Sequence, residues 1–544
     1  MSNFNENATV CKQFCAQKKE RMGKPTSFFC VIVLAKISPI SSDTSYESRT
    51  SSGETFTHDL AVIGGGAGGL SAAKEAAKAG FNVVLFDYVE PSPQGTKWGF
   101  AGTCVNVGCI PKKLFHYAAS LGRSMSDMKY AGWRGFLKEN PSNAYNWSEL
   151  VQTVGDFVKQ LSFSYSVQAR KSGIKYINAR AKFAKRDDEH EIEYSVKGVL
   201  RSVRAKYVII AVGGRPSFPR IPGIEHAISS DDIFSRKKAP GRTLVVGGGY
   251  IAIEVAGFLT GMGYSTTVAV RSTRVLRGFD SQMVEKLVSI MKESGTEFKL
   301  GSNVVSLTKR EEGSIQVLFL DGSEEVFDTV LMAIGRTPST ERLELPVSVE
   351  LDSSGKLVTN TNLLVKGTRG IYAVGDCVHG YPELASVAVK GGELLARRLF
   401  LNESRSLDLR FIPTTIFTHS EYGSVGLSEE RATATGEIEA YLYEWSSLER
   451  LAFQREKGST CLCKLIVKKE NGRVIGLHYI GPSAGEVVQG FALAMKLGAT
   501  KPDFDQLIGV HPTNAEAFVS LSITRSSGES FQAKGGNCGG GKCG

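Results

Sequence analysis

The sequence predicts an α/β protein made of two doubly wound units and a C-terminal α+β part. Three observations carry this expectation. A short apolar strand, a glycine turn and an alanine-rich helix follow one another from His58; the same order returns from Arg242; and from about Pro413 the pattern changes to strands and long helices. A chain of 544 residues is also too long for one ordinary core. Hydrophobic residues at 42% and charged residues at 22% exclude a disordered or collagen-like chain. The net charge of +10 is not gathered into a basic block, so nucleic acid is not an expected partner; anionic small ligands or an acidic protein fit better.

Taken in order, the first 40 residues hold six Lys/Arg against two acids and lead into a serine-rich run. Residues 1–57 are therefore expected to be a disordered arm, with a targeting leader as the second reading. No apolar run approaches the roughly 20 residues of a membrane helix, so a soluble protein without a membrane partner is expected. Ten cysteines spread over the chain are too sparse for a secreted disulfide scaffold, which points to a reducing compartment.

Ordered structure is expected from His58. Asp59 to Ile63 reads as a strand, and Gly64, Gly66 and Gly69, with Ala67 between them, stand at the spacing that lets a pyrophosphate approach the N-terminus of a helix read from Leu70 to Ala79. Phe81 to Phe86 supplies the next strand, ending in Asp87, where a carboxylate can accept ribose hydroxyls. The second copy runs through Gly247, Gly249, Tyr250 and Ile251, with Ala252 in the third glycine position. Its next strand, Thr266 to Val270, ends in Arg271, with Arg274 and Arg277 close behind. Guanidinium groups bind a 2′-phosphate that a carboxylate would repel, so NADPH is expected over NADH; a solvated basic loop is the alternative. Both units are thus Rossmann-like and dinucleotide-binding.

Cys104 and Cys109 follow the first turn, flanked by Gly102, Thr103 and Gly108 and succeeded by Pro111, Lys112 and an apolar helical run. This looks like the mouth of a helix, where orphan amides favour a thiolate. No close ligand spacing supports a metal, and an inert buried pair is the alternative. Two dinucleotide sites 183 residues apart, with the cysteines 40 residues after the first glycine, describe a relay from nicotinamide to flavin to a disulfide. Gly370 to Asp376 reads as a short strand ending in glycine and acid, where Asp376 serves either the flavin ribityl chain or a turn.

Asp127 to Ser148, with Tyr130, Trp133, Phe136 and Trp147, is expected as an inserted surface excursion. Residues 206–216 mark a crossing between the units and Ala333 to Pro338 the return. Cys461 and Cys463 alternate along a strand and share a face as packed or free thiols. His511, before a helix starting near Asn514, can carry a proton with Glu516 orienting it, although a lone histidine is more often structural. The last ten residues contain six glycines with Cys538 and Cys543. Such a run cannot bury a core and reads as an electron shuttle, with a metal-binding tag or a disordered end as alternatives.

From about His58 to Gly544 these motifs resemble the pyridine nucleotide-disulfide oxidoreductases, and within them the high-molecular-weight thioredoxin reductases; the Cys538 to Cys543 ending looks like the malaria-parasite form. The resemblance implies an FAD-binding domain at 58–215, an NADPH-binding domain at 216–338, a central domain continuing the FAD site at 339–412, a dimer-interface domain at 413–534 and a redox-active tail at 535–544. It implies FAD contacts from Gly64, Gly66, Ala67, Gly69, Asp87, Thr103 and Asp376. NADPH contacts would come from Gly247, Gly249, Tyr250, Ile251, Arg271 and Arg277, with Tyr250 covering the nicotinamide pocket. It further implies a Lys112–Glu254 ion pair beside the flavin, Cys109 facing the flavin and Cys104 as the interchange thiol. A head-to-tail homodimer would bring His511 and Glu516 from the partner subunit, and the Cys538/Cys543 pair would pass electrons to thioredoxin. Glutathione reductase shares much of this pattern, but Lys74 and Glu393 stand where, by alignment, that family uses arginines for glutathione carboxylates. A flavin- or metal-binding protein without turnover is the alternative from another class. The expected location is the cytoplasm, with an organelle reached through the N-terminal arm as the second.

Overall fold

A computed structural model describes residues 48–49, 55–128, 130–134, 145–185, 187–454 and 460–533. The tail cysteines Cys538 and Cys543 lie outside the described residues, as do Phe136 and most of the N-terminal arm. Strand structure begins earlier than His58. Ser48–Arg49 pairs antiparallel with Thr55–Phe56, and Phe56 is buried with its ring 5.1 Å from that of His190. A single aromatic with a core socket is enough to order the end of a segment that composition alone marks as an arm.

The strand His58–Ile63 is buried along its whole length, because it lies centrally in a parallel sheet covered on both faces. Its neighbours are Val83–Asp87 on one side and the C-terminal half of Val199–Ile210 on the other. Lys175–Asn178 extends the sheet beyond Val83–Asp87, and the N-terminal half of Val199–Ile210 turns back as a hairpin with Glu191–Val196. The late strand Ile371–Ala373 returns to pair in parallel with Val208 to Ile210, which brings Gly375 and Asp376 to the sheet of the first glycine turn. The helix Ala385–Leu401 then packs along Ala67–Lys78, where Gly68 and Gly392 permit backbone contact.

The second unit is a five-stranded parallel sheet in the order Ile228–Ser229, Thr329–Met332, Thr243–Val246, Thr266–Val270, Thr296–Leu300. The two chain crossings pair with each other: Gly214–Pro216 runs antiparallel to Arg336–Pro338. The C-terminal part is a five-stranded antiparallel sheet, ordered Thr414–Ile416, Glu421–Gly426, Val474–Gly481, Cys461–Lys468, Ile438–Trp445, with the helix Ala484–Leu497 on one face. Cys461 and Cys463 are fully buried on one face of that sheet, where desolvation pushes the Cys461 thiol up to about 12 and raises that of Cys463 as well. They are packing residues.

The expected excursion at 127–148 divides. Tyr130 and Trp133 are exposed, but Trp147 is buried against Phe115 and Tyr264 and its indole N–H donates to the Arg236 carbonyl at 2.7 Å. Trp147 opens the 25-residue helix Trp147–Lys171, whose Asn146 side chain caps it. An indole with a partner for its N–H is a core residue, and turn-rich neighbours concealed that.

Candidate active site

One cavity of about 520 Å³ collects most of the candidate residues: Gly64, Gly66, Ala67, Asp87, Thr103, Cys104, Cys109, Lys112, Tyr250, Ile251, Glu254 and Asp376 all line it. Its floor is the first glycine turn. Gly64 has φ +110°, and a Cβ there would sit 2.3 Å from the Ala211 carbonyl oxygen. At Gly69 a Cβ would sit 2.0 Å from the Gly64 oxygen, so helix and turn touch backbone to backbone. Gly102, at φ +75°, presses on Gly66 in the same way, with only 2.6 Å between its would-be Cβ and the Gly66 Cα. The cysteine segment is thereby laid directly over the turn.

Two helices carry the thiols. Cys104 lies in Gly102–Val107 and Cys109 begins Cys109–Met128. Gly108 makes the break, for a side chain there would crowd the Thr103 carbonyl and Cys104 Cα at 3.0 and 3.2 Å. Pro111 falls in the first turn of the long helix, where its missing N–H costs no hydrogen bond. A hydrogen bond from Cys104 is the main cause that holds the Cys109 thiol down at about 7; burial opposes it, Lys112 assists and Glu254 resists. The same hydrogen bond, with burial, pushes the Cys104 thiol well up. Of the reduced pair, Cys109 is therefore the sulfur that gives up its proton first and Cys104 the one that keeps it.

Lys112 and Glu254 meet at 2.7 Å. Glu254 is buried, and desolvation raises its carboxyl against the pull of Lys112; the Phe417 amide also donates to it at 3.0 Å. The Lys112 ammonium lies 4.5 Å from the centre of the Phe417 ring. Asp87 accepts from the Gly65 amide at 3.0 Å, and burial pushes its carboxyl up to about 6. Burial likewise raises Asp376, with Glu383 adding to the effect and Arg336 and Lys356 opposing it.

Sequence reasoning passed over three residues here. Buried Asn106 donates from its side-chain nitrogen to the carbonyls of Phe100 and Gly102, both at 2.9 Å, fixing the turn that leads into Cys104. Arg336, on the return crossing, reaches the Gly214 carbonyl and Thr103 Oγ1. Phe417 comes from the C-terminal part. Their partners are close in the chain only for Asn106, and nothing in its residue type marks it as a clamp.

Two groups stand outside this cavity. The second glycine turn repeats the first: Gly247 has φ +135°, and a Cβ would sit 2.1 Å from the Ala333 oxygen. Arg271 and Arg277 lie beside it and are exposed, on a loop held down by the Leu276 amide donating to the Gly248 oxygen at 2.6 Å. His511 Nδ1 is 3.0 Å from Glu516, which also accepts from the Thr513 amide at the start of the Asn514–Val519 turn. The imidazole is 61% exposed and does not line the cavity of its own chain. Just before it in the chain Leu507, Ile508 and Val510 are exposed, Ile508 to 92%.

Residues 58–392 match the family model of pyridine nucleotide-disulphide oxidoreductases, and residues 412–522 match the dimerisation domain of the same family. A thioredoxin reductase of Plasmodium falciparum is 48% identical over 515 residues, covering 90% of this chain and 93% of that protein. Mitochondrial thioredoxin reductase 2 of Drosophila melanogaster is 43% identical, over 87% of this chain and 92% of its own length. Thioredoxin reductase SEP1 of Emiliania huxleyi is 44% identical, over 88% and 98%.

Proposed function

Because the chain belongs to the pyridine nucleotide-disulphide oxidoreductase family, we propose that it is an NADPH-dependent thioredoxin reductase of the high-molecular-weight form, with FAD as its resident cofactor. The single observation that supports this best is the shared cavity, whose wall contains the first glycine turn, both thiols and the Lys112–Glu254 pair. The residues present fit FAD. Gly66 leaves backbone bare at a helix N-terminus for a pyrophosphate, while Gly64 and Gly69 close the turn beneath it; Asp87 and Asp376 offer half-buried carboxyls to ribose and ribityl hydroxyls. Gly247, Gly249 and Ile251 would hold the NADPH pyrophosphate, Arg271 and Arg277 its 2′-phosphate, and Tyr250 would cover the nicotinamide position. When bound, FAD supplies two-electron transfer between NADPH and a disulfide.

The chain's own groups do the rest. Two electrons and a proton reduce the Cys104–Cys109 disulfide to the Cys109 thiolate and Cys104 thiol that the local hydrogen bonding favours. Lys112 balances that thiolate's charge, and Glu254 holds the ammonium in place. In the homodimer, His511 of the partner subunit accepts the Cys104 proton while Glu516 keeps the imidazole oriented. The Cys104 sulfur then attacks the partner tail's Cys538–Cys543 disulfide, forming one mixed disulfide and releasing one tail sulfur, which takes the proton back. The Cys109 thiolate next attacks the Cys104 sulfur and displaces the tail, restoring the Cys104–Cys109 disulfide and leaving the tail as one thiol and one thiolate, the pair that reduces thioredoxin. The exposed apolar side chains just before His511 are suited to the subunit contact.

Among the described residues no helix is long and apolar enough to cross a membrane. We assign the enzyme to the cytoplasm or, through its N-terminal arm, an organelle. The activity is tested with the purified flavoprotein, NADPH and thioredoxin, comparing the full chain with one ending at Lys534. The shorter chain is expected to bleach its flavin with NADPH yet fail to reduce thioredoxin; full turnover by it would refute the tail's role.

A further inference from the structure

The last described residues do not simply trail off the C-terminal sheet. Ile438–Trp445 is the edge strand of that sheet, and an edge leaves backbone donors and acceptors to be satisfied. The chain from Ile523 to Ala533 takes them up twice. On the first pass the Leu442 amide donates to the Ile523 oxygen at 3.0 Å and the Arg525 amide to the Ala440 oxygen at 2.8 Å. After a turn, the Glu444 amide donates to the Phe531 oxygen and the Ala533 amide to the Glu444 oxygen, both at 2.8 Å.

Side chains then bind this doubled strap to the dinucleotide-binding unit that carries Arg271 and Arg277. Arg525 grips Glu429 with two nitrogens, at 2.5 and 2.9 Å, and donates to Gln282 at 2.7 Å on the helix Ser281–Glu293. Glu429 is shared with the buried Lys464, which is 2.7 Å from Asp280, the residue capping that same helix. Phe531 packs into the core that Met283 and Val284 of the helix share with Ala440 and Leu442 of the edge strand. Lys286, one turn further along the helix, meets Glu444 at 2.8 Å.

We propose that Ile523 to Ala533 is a fastening strap for the cysteine-bearing end, and that Arg525 is a positioning residue that fixes where the tail starts. The proposal rests on the shuttle reading above. Five residues separate Ala533 from Cys538, whereas fifteen separate Ile523 from it. Five residues extend to roughly 17 Å and fifteen to roughly 50 Å. Tripling the free length of a tether lowers the effective concentration of its end as the −3/2 power, roughly fivefold. A fastened strap thus confines the tail cysteines to a smaller volume around Ala533, with the strap itself anchored to the helix Ser281–Glu293.

The test uses the full-length FAD-loaded dimer with Arg525→Ala combined with Phe531→Ala, and separately Arg525→Lys. Hydrogen exchange across 523–533 should rise in the double variant, and thioredoxin kcat should fall roughly fivefold while NADPH reduces the flavin at the original rate. Arg525→Lys, which keeps the charge but loses the two-nitrogen grip, should fall between. Raised exchange with unchanged kcat would overturn the positioning role, as would unchanged exchange or an equal loss in both stages. Failure of the shuttle reading is separable: a chain ending at Ala533 would then still turn over thioredoxin.

Discussion

The two glycine turns are built on the same backbone idea and differ in what surrounds it. In each, the first glycine has positive φ and lies against a carbonyl just beyond the neighbouring parallel strand, Ala211 for Gly64 and Ala333 for Gly247. The third position then diverges. Gly69 has no room for a methyl group, since its Cβ would lie 2.0 Å from the Gly64 oxygen, while the second turn accommodates Ala252 fully buried. Beyond the turns the next strand ends in a half-buried acid, Asp87, in one unit and in an exposed arginine loop in the other. Among the described residues only the first turn has a thiol-bearing segment laid on it. One backbone solution is therefore kept while the residues just past it differ in charge, the difference on which the proposed choice of ligand rests.

The largest effect should come from testing the shared part. Gly64→Ala and Gly247→Ala each force a methyl group onto a carbonyl at a positive φ, and should cost on the order of 4 kcal/mol in denaturant unfolding. Gly249→Ala meets nothing within 4 Å at φ −83°, so its cost should stay within about 1 kcal/mol. Comparable losses at Gly247 and Gly249 would break the claim that the first glycine of the second turn, and not its neighbour two residues on, bears the constraint.

Next in size is the acid that only the first unit has. A carboxyl whose folded value lies above its unfolded one binds its proton more tightly when folded. Asp87, at about 6 against an ordinary 3.8, therefore contributes stability that is full below about pH 4 and is lost as pH rises to about 6. The loss is about 3 kcal/mol, and Asp87→Asn should remove it. Unfolding of flavin-free protein between pH 4 and 7 measures this; a variant with the same pH slope as the parent would show that other groups carry it.

These contrasts also mark what could be read from residue order. The glycine spacing, Asp87 against Arg271, and the cysteine pair were legible because each constraint acts within a few residues along the chain. The crossing segments were legible as boundaries, but that Gly214–Pro216 and Arg336–Pro338 pair with each other, and so aim Arg336 at Thr103, depends on contacts over 122 residues. Trp147 was misread for the same reason: its socket is made by Phe115, Tyr264 and Arg236, none of them near it in sequence. The Lys112–Glu254 pair came from resemblance, since 142 residues separate the partners and no local pattern joins them.

The arginine loop gives the third prediction. Arg271→Ala with Arg277→Ala should weaken NADPH by roughly 10- to 100-fold while NADH changes little, because only the 2′-phosphate is lost as a contact. Steady-state KM values for the two nucleotides decide it. Equal losses for both would make the loop a structural support of the Gly247 turn, and the comparison with Asp87 would lose its meaning.

The smallest effect probes the segment laid over the first turn alone. Cys109 sits at about 7 because the Cys104 hydrogen bond and Lys112 together outweigh burial and Glu254. Replacing Lys112 with methionine removes one favourable charge and leaves Glu254 unopposed, so the thiolate should form only at higher pH. Alkylation of the reduced protein at pH 7 should slow roughly tenfold. Glu254→Gln should act in the opposite direction, lowering the midpoint and speeding alkylation. Cys461 serves as the internal reference: held at about 12 by burial inside the sheet, it should stay unmodified throughout in the folded protein. Opposite shifts from the two substitutions require that charge at the cavity wall, and not helix position alone, tunes the thiol. No shift in either variant would assign the effect to the N-terminus of Cys109–Met128, which both retain.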